Sequence, residues 1–114
     1  MNLLFICNQG RNRSRTAAEI YSKEYSTEYA GFYSSSKSLI LKKPMLNKAD
    51  AIFVMEQNHI DHLAQYYPEY YLEKRIINLD IPDIYCYNQP ELVELLKKKI
   101  NPALKDLEEL MKHF

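Results

Sequence analysis

No sign of charge dominates this chain: fifteen Lys and Arg residues face fifteen Asp and Glu, leaving no formal net charge. A global basic field that would gather nucleic acid is therefore excluded, and any preference for anions has to be local. Cysteine is scarce as well. Cys7 and Cys86 are too few and too far apart for the disulfide framework of a secreted domain, and no C-x2-C or His/Cys cluster points to zinc, so reduced thiols and no metal are expected. His59 and His62 stand one helical turn apart but lack a third ligand. No hydrophobic run approaches membrane-spanning length, and the opening MNLLFIC breaks into polar residues with no basic segment and no small-residue cleavage site. We read a soluble, cytoplasmic protein with no membrane partner. Repeats, low-complexity segments and linkers are missing too, so the 114 residues are expected to form one domain, residues 1–114, around one core. No cofactor is called for, and the oligomeric state is not legible.

What is present is an alternation of elements. Leu3 to Ile6 is a short apolar run suited to a strand covered on both faces, and Ser14 to about Tyr25 carries Ala17, Ile20, Tyr21 and Tyr25 at helical spacing. Tyr29 to Ser34 predicts a second strand, followed by a loop through Lys48 with one helical turn after Pro44. Ala51 to Met55 is a third strand, and residues 57–66 and 68–74 are two short helices divided at Pro68. Arg75 to Leu79 is a fourth strand. From Pro90 the spacing predicts a long helix with Leu92, Leu96, Ile100, Ala103, Leu107 and Leu110 on one face, kinked or divided at Pro102. This order implies a three-layer α/β/α sandwich around a four-stranded parallel sheet, with the ligand site beyond the carboxyl ends of the strands.

The stretch FICNQGRNRSRTAAEI, residues 5–20, falls at such an end. Cys7 follows the first strand, and the turn Asn8, Gln9, Gly10, Arg11, Asn12, Arg13 leads into the helix at Ser14. Backbone N–H groups gathered at a helix N-terminus favour an anion, and the Arg13 guanidinium matches two oxygens of a phosphoryl group. The same surroundings stabilise a thiolate, the nucleophilic form of cysteine.

The pattern Cys7-x5-Arg13-Ser14 after a first strand resembles the phosphate loop of the low-molecular-weight protein tyrosine phosphatases. Asp83-Ile84-Tyr85 ahead of the last helix resembles that family's Asp-Pro-Tyr segment. ADAIFVMEQNH, residues 49–59, and YSSS, residues 33–36, also match in order. The ending, with LDIPDIY and PEL, is similar to that of a short bacterial and archaeal branch. The resemblance implies a phosphatase that acts without metal through a phosphocysteine on Cys7. Arg13 and the loop amides would hold the phosphoryl oxygens, Ser14 would stabilise the thiolate and Asp83 would serve as general acid, with Asp80 as the competing candidate.

The chain also departs from that pattern. Gly10 stands where the family has an asparagine that braces the loop, Arg15 replaces a proline, and the connection from Ser36 to Asp50 is short. An open mouth rimmed by Arg11 and Arg15, with Tyr85 as a further substrate contact, suits a phosphotyrosine protein or small phosphate ester, or a more highly charged phosphate such as a nucleotide or an RNA end. Two alternatives stay open: an arsenate reductase of the same fold that pairs Cys7 with Cys86, and a phosphate-binding module without turnover.

Overall fold

The computed structural model describes residues 1–112. Four strands, β1 (Asn2–Cys7), β2 (Ser26–Gly31), β3 (Ala51–Val54) and β4 (Ile76–Asn78), form one sheet in the order β2-β1-β3-β4. All three pairings are parallel. Helices α1 (Arg13–Tyr21), α2 (Lys43–Lys48), α3 (Gln57–Tyr66), α4 (Pro68–Glu73) and α5 (Pro90–Met111) complete the fold.

Successive residues of the central strands β1 and β3 fill opposite layers, which is why residues 3–7 and Ala51–Val54 read as apolar runs. Leu3, Phe5, Cys7, Ala51, Phe53 and Met55 pack with Ala17 and Tyr21 of α1 and with Leu92, Leu96, Ile100, Leu104 and Leu107 of α5. Leu4, Ile6, Ile52 and Val54 face the other way, onto Leu46 of α2 and Leu63 of α3. Helices thus cover both faces, giving the three-layer sandwich. At its centre Phe5 stacks on Phe53 with ring centroids 5.1 Å apart.

Three expectations need correction. The first helix ends at Tyr21 rather than near Tyr25, because the N–H groups of Glu24 and Tyr25 both turn back onto the Tyr21 carbonyl. The second strand is Ser26–Gly31, not Tyr29 to Ser34. Its register against β1, from Asn2↔Ser26 to Cys7↔Gly31, recruits polar residues on an edge strand and releases Phe32 and Tyr33 to pack beside the α3 histidines. Pairing outweighs the aromatic β propensity here. The last helix runs through Pro102 undivided. Asn101 and Pro102 lie on the exposed side, where the carbonyl left without an N–H can be hydrated. On the same helix, Leu104 rather than Ala103 is fully buried, and Leu110 is exposed.

The order β2-β1-β3-β4 sends the chain from β1 to one neighbour and later to the other, so β1 borders the topological switch where open α/β sheets bind ligands. Cys7, Gly31, Met55 and Leu79 all stand at or just beyond the carboxyl ends of their strands.

Candidate active site

A cavity of about 240 Å3 opens at that edge, lined by Cys7, Asn8, Gln9, Arg11, Asn12, Arg13 and Asp83. A larger hollow, about 400 Å3 and lined by Asn2, Thr27, Lys48 and others, lies at the opposite ends of the strands and contains neither cysteine.

The loop of the first cavity is shaped by the only two glycines in the chain. Gly10 has φ +70°, and a Cβ there would come within 2.8 Å of the Ala30 carbonyl carbon and of the Gly31 nitrogen. A Cβ on Gly31 would approach Gln9 to 2.3 Å. The two glycines therefore let the loop lie directly on the end of β2, while the N–H groups of Phe32 and Tyr33 donate to the carbonyls of Cys7 and Asn8. Backbone contact with the end of β2 thus holds the loop at Gly10. Gly31→Ala is expected to destabilise the protein by about 3 kcal/mol, as overpacking against unyielding backbone does. Urea unfolding measures this, and a change within a few tenths would show that the contact yields.

None of the backbone N–H groups from Asn8 to Arg15 is hydrogen-bonded to another backbone group among the described residues. Helix α1 has no side-chain N-cap, so the free N–H groups of its first turn remain available to an anion.

Arg13 is 1% exposed. Its Nη1 donates to Glu56 Oε2 at 2.8 Å and to the Ile81 carbonyl at 2.7 Å. Nε and Nη2, the other edge of the fork, have no hydrogen-bond partner among the described residues. Asp83 Oδ1 stands 3.6 Å from Nε, near enough to pair in charge but not to bond. A buried guanidinium thus holds one edge fixed and presents the other unfilled.

Cys7 is buried, and its Sγ lies 3.0 Å from Ser14 Oγ. Ser14 Oγ is also 3.4 Å from the Ala30 carbonyl. The single hydroxyl hydrogen serves one of them at a time: the sulfur when it is thiolate, the carbonyl when the thiol donates.

Two residues that sequence reasoning did not assign to the site hold lining residues from behind: Glu56 holds Arg13 and His59 holds Asn8. Glu56 follows β3 and anchors Arg13. His59, 1% exposed, accepts the N–H groups of Met55 and Glu56 at Nδ1, at 3.3 and 3.2 Å, and meets Asn8 Oδ1 through Nε2 at 2.6 Å. The available signal was their place just after the third strand, at the same carboxyl edge as Cys7. His59 and His62 diverge, since His62 Nδ1 contacts the Tyr33 hydroxyl.

Burial, with Arg13 nearby, pushes the His59 imidazolium down to about 4 from an ordinary 6.5. In the unfolded chain this histidine takes a proton below about 6.5, whereas in the folded chain it does not until about 4. Folding therefore excludes a proton in that window, and stability falls as pH drops through it, by about 3 kcal/mol at full extent. Denaturant unfolding across this range should show the decline, with a shallower slope in His59→Gln. Equal slopes would contradict it.

Of the remaining candidates only Arg11 lines the cavity. Arg11 is exposed at the mouth and donates to Ser35 Oγ at 2.9 Å. Arg15 lies over the Tyr87 ring, 4.0 Å from its centroid, and pairs with Glu19 at 3.3 Å. Tyr85 packs on the core. Asp80 occupies a left-handed turn with φ 54° and does not line the cavity. Cys86 is exposed, both cysteines are free, and Cys86 is not among the cavity residues. Among the described residues no three His, Cys, Asp or Glu side chains group as a metal site, and no helix is long and apolar enough to cross a membrane.

No family model matches the sequence, and no protein of curated function is similar to it in sequence. Solved structures are similar in fold. Wzb from Vibrio vulnificus in complex with benzylphosphonate superposes with a TM-score of 0.74 at 19% identity, over 92% of this chain and 97% of that one. The YwlE arginine phosphatase from Geobacillus stearothermophilus gives 0.68 at 19% identity, over 99% and 97%. The low-molecular-weight protein tyrosine phosphatase from T. tengcongensis gives 0.68 at 19%, over 96% and 99%. With nearly the whole of each chain superposed, this protein has the low-molecular-weight tyrosine phosphatase fold.

Proposed function

We propose that this protein is a cysteine-dependent phosphomonoesterase acting on phosphorylated protein. The observation that carries the reading is the unfilled Nε/Nη2 edge of buried Arg13, beside Cys7 in a cavity whose loop amides have no backbone partner among the described residues. A buried charged donor without a partner costs on the order of 3 kcal/mol. An oxyanion with two oxygens in one plane relieves that cost.

In the first step Cys7 Sγ attacks phosphorus, the S–P bond forms and the ester P–O bond breaks. Asp83 gives its proton to the leaving oxygen. Arg13 and the loop amides hold the equatorial oxygens as charge spreads over them. In the second step Asp83 takes a proton from water, which attacks the phosphocysteine and releases orthophosphate and the thiolate. Ser14 donates to the sulfur as it regains charge.

This fold carries both tyrosine and arginine phosphatases among its neighbours, so phosphotyrosine and phosphoarginine peptides are both to be tried. A second reading, a nucleotide or an RNA end, rests on Arg11, which has no carboxylate partner among the described residues and stands at the mouth. Under it, Arg11→Ala lowers kcat/KM for a nucleoside monophosphate more than for an aryl phosphate; an equal effect rejects it.

The general reading is tested by hydrolysis of p-nitrophenyl phosphate in a chelator at mildly acidic pH, with vanadate as competitor. Turnover that vanadate inhibits competitively is expected. Binding of vanadate without turnover would leave only an anion-binding module.

A further inference from the structure

The geometry points to His59 as a positioning residue that, acting through Asn8, fixes which oxygen of Asp83 carries the proton given to the leaving group. The inference rests on the reading of Asp83 as general acid. It begins with two backbone donors. Met55 and Glu56 both direct N–H groups at Nδ1 of His59, so Nδ1 is an acceptor and the ring hydrogen is on Nε2. Nε2–H then donates to the Asn8 atom it faces, at 2.6 Å, which must be the amide oxygen. The amide has no freedom to flip. Its nitrogen is thereby turned toward Asp83 and donates to Oδ2 at 3.3 Å.

The consequence concerns the two oxygens of Asp83. Oδ2 receives an N–H, and a proton placed on it would compete with that donor. Oδ1 accepts no hydrogen bond among the described residues, and it lies 3.6 Å from Arg13 Nε, on the side of the unfilled fork edge where a phosphoryl group would sit. The acid proton therefore resides on Oδ1. This is the oxygen nearer the phosphoryl position, so proton transfer needs no rotation of the carboxyl group. His59 is suited to the task because it is buried and packed beside Phe32, with ring centroids 5.3 Å apart. It stays neutral across the pH range in which such an enzyme would work.

A residue that positions an acid differs from a merely structural one in how its loss depends on the leaving group. A departing p-nitrophenolate needs little protonation, whereas a departing phenolate needs much more. The experiment compares kcat/KM for p-nitrophenyl phosphate and phenyl phosphate in the wild type, Asn8→Ala, His59→Phe and Asp83→Asn. Asp83→Asn sets the size of the leaving-group effect. Asn8→Ala and His59→Phe are each expected to lose about tenfold more on phenyl phosphate than on p-nitrophenyl phosphate. Asn8→Ala keeps the test decisive should His59→Phe, which leaves two backbone N–H groups unpaired, fail to fold. If Asp83→Asn is selective while Asn8→Ala slows both esters equally, the inference falls and the acid stands. If Asp83→Asn itself slows both equally, the acid assignment falls and the inference with it.

Discussion

Cys7→Ser is expected to lower turnover of p-nitrophenyl phosphate by about 10^4-fold or more, as removal of an enzyme's nucleophile does, while the protein stays folded and still binds vanadate. The serine hydroxyl is far less ionised than a thiol, so neither the helix N-terminus nor Ser14 can turn it into a comparable nucleophile. The binding half of the site is untouched, because Arg13 is held from behind by Glu56 and the Ile81 carbonyl rather than by the sulfur. Thermal unfolding with and without phosphate separates the two effects. An active Cys7→Ser protein would mean that the chemistry runs through some other group.

Arg13→Lys is the second large effect, about 10^3-fold on kcat/KM. The substitution conserves charge and approximate length, so a loss of this size measures geometry. A lysine offers three donors from one point, and Glu56 with the Ile81 carbonyl already claims two. No second edge remains for the phosphoryl oxygens. Phosphate should then cease to raise the unfolding temperature, since the folded state gains nothing by binding it. Wild-type kinetics in Arg13→Lys would show that the loop amides suffice.

Much of this architecture was legible in the sequence because its physical causes are local. β1 from Leu3 onward and all of β3 are buried on both faces and therefore written in apolar residues. The turn after β1 combines a thiol, small and amide side chains and arginines within a few positions, and the cavity gathers all of its chemistry-bearing residues from Cys7 to Arg13 together with distant Asp83. What was illegible depends on pairing across the fold. β2 begins at Ser26 because Asn2 lies opposite it, not because Ser or Glu favours strands. Pro102 does not divide α5 because it happens to face solvent. Gly10 reads as a missing brace until Gly31 is seen pressed against it. Arg15, expected at the rim, lies over Tyr87 beside Glu19, an arrangement set by a loop dozens of residues away. His59 had no role in the sequence once a third metal ligand was found lacking, and only the fold carries its ring to Asn8.

The central claim is that phosphate passes through a covalent bond to Cys7. Rapid acid quench of the working protein with an aryl phosphate, followed by peptide mass spectrometry, tests it directly. The account predicts one phosphoryl group on the peptide bearing Cys7, formed before orthophosphate appears and absent in Cys7→Ser. Continued turnover with no phosphoryl group on that peptide at any time would contradict it.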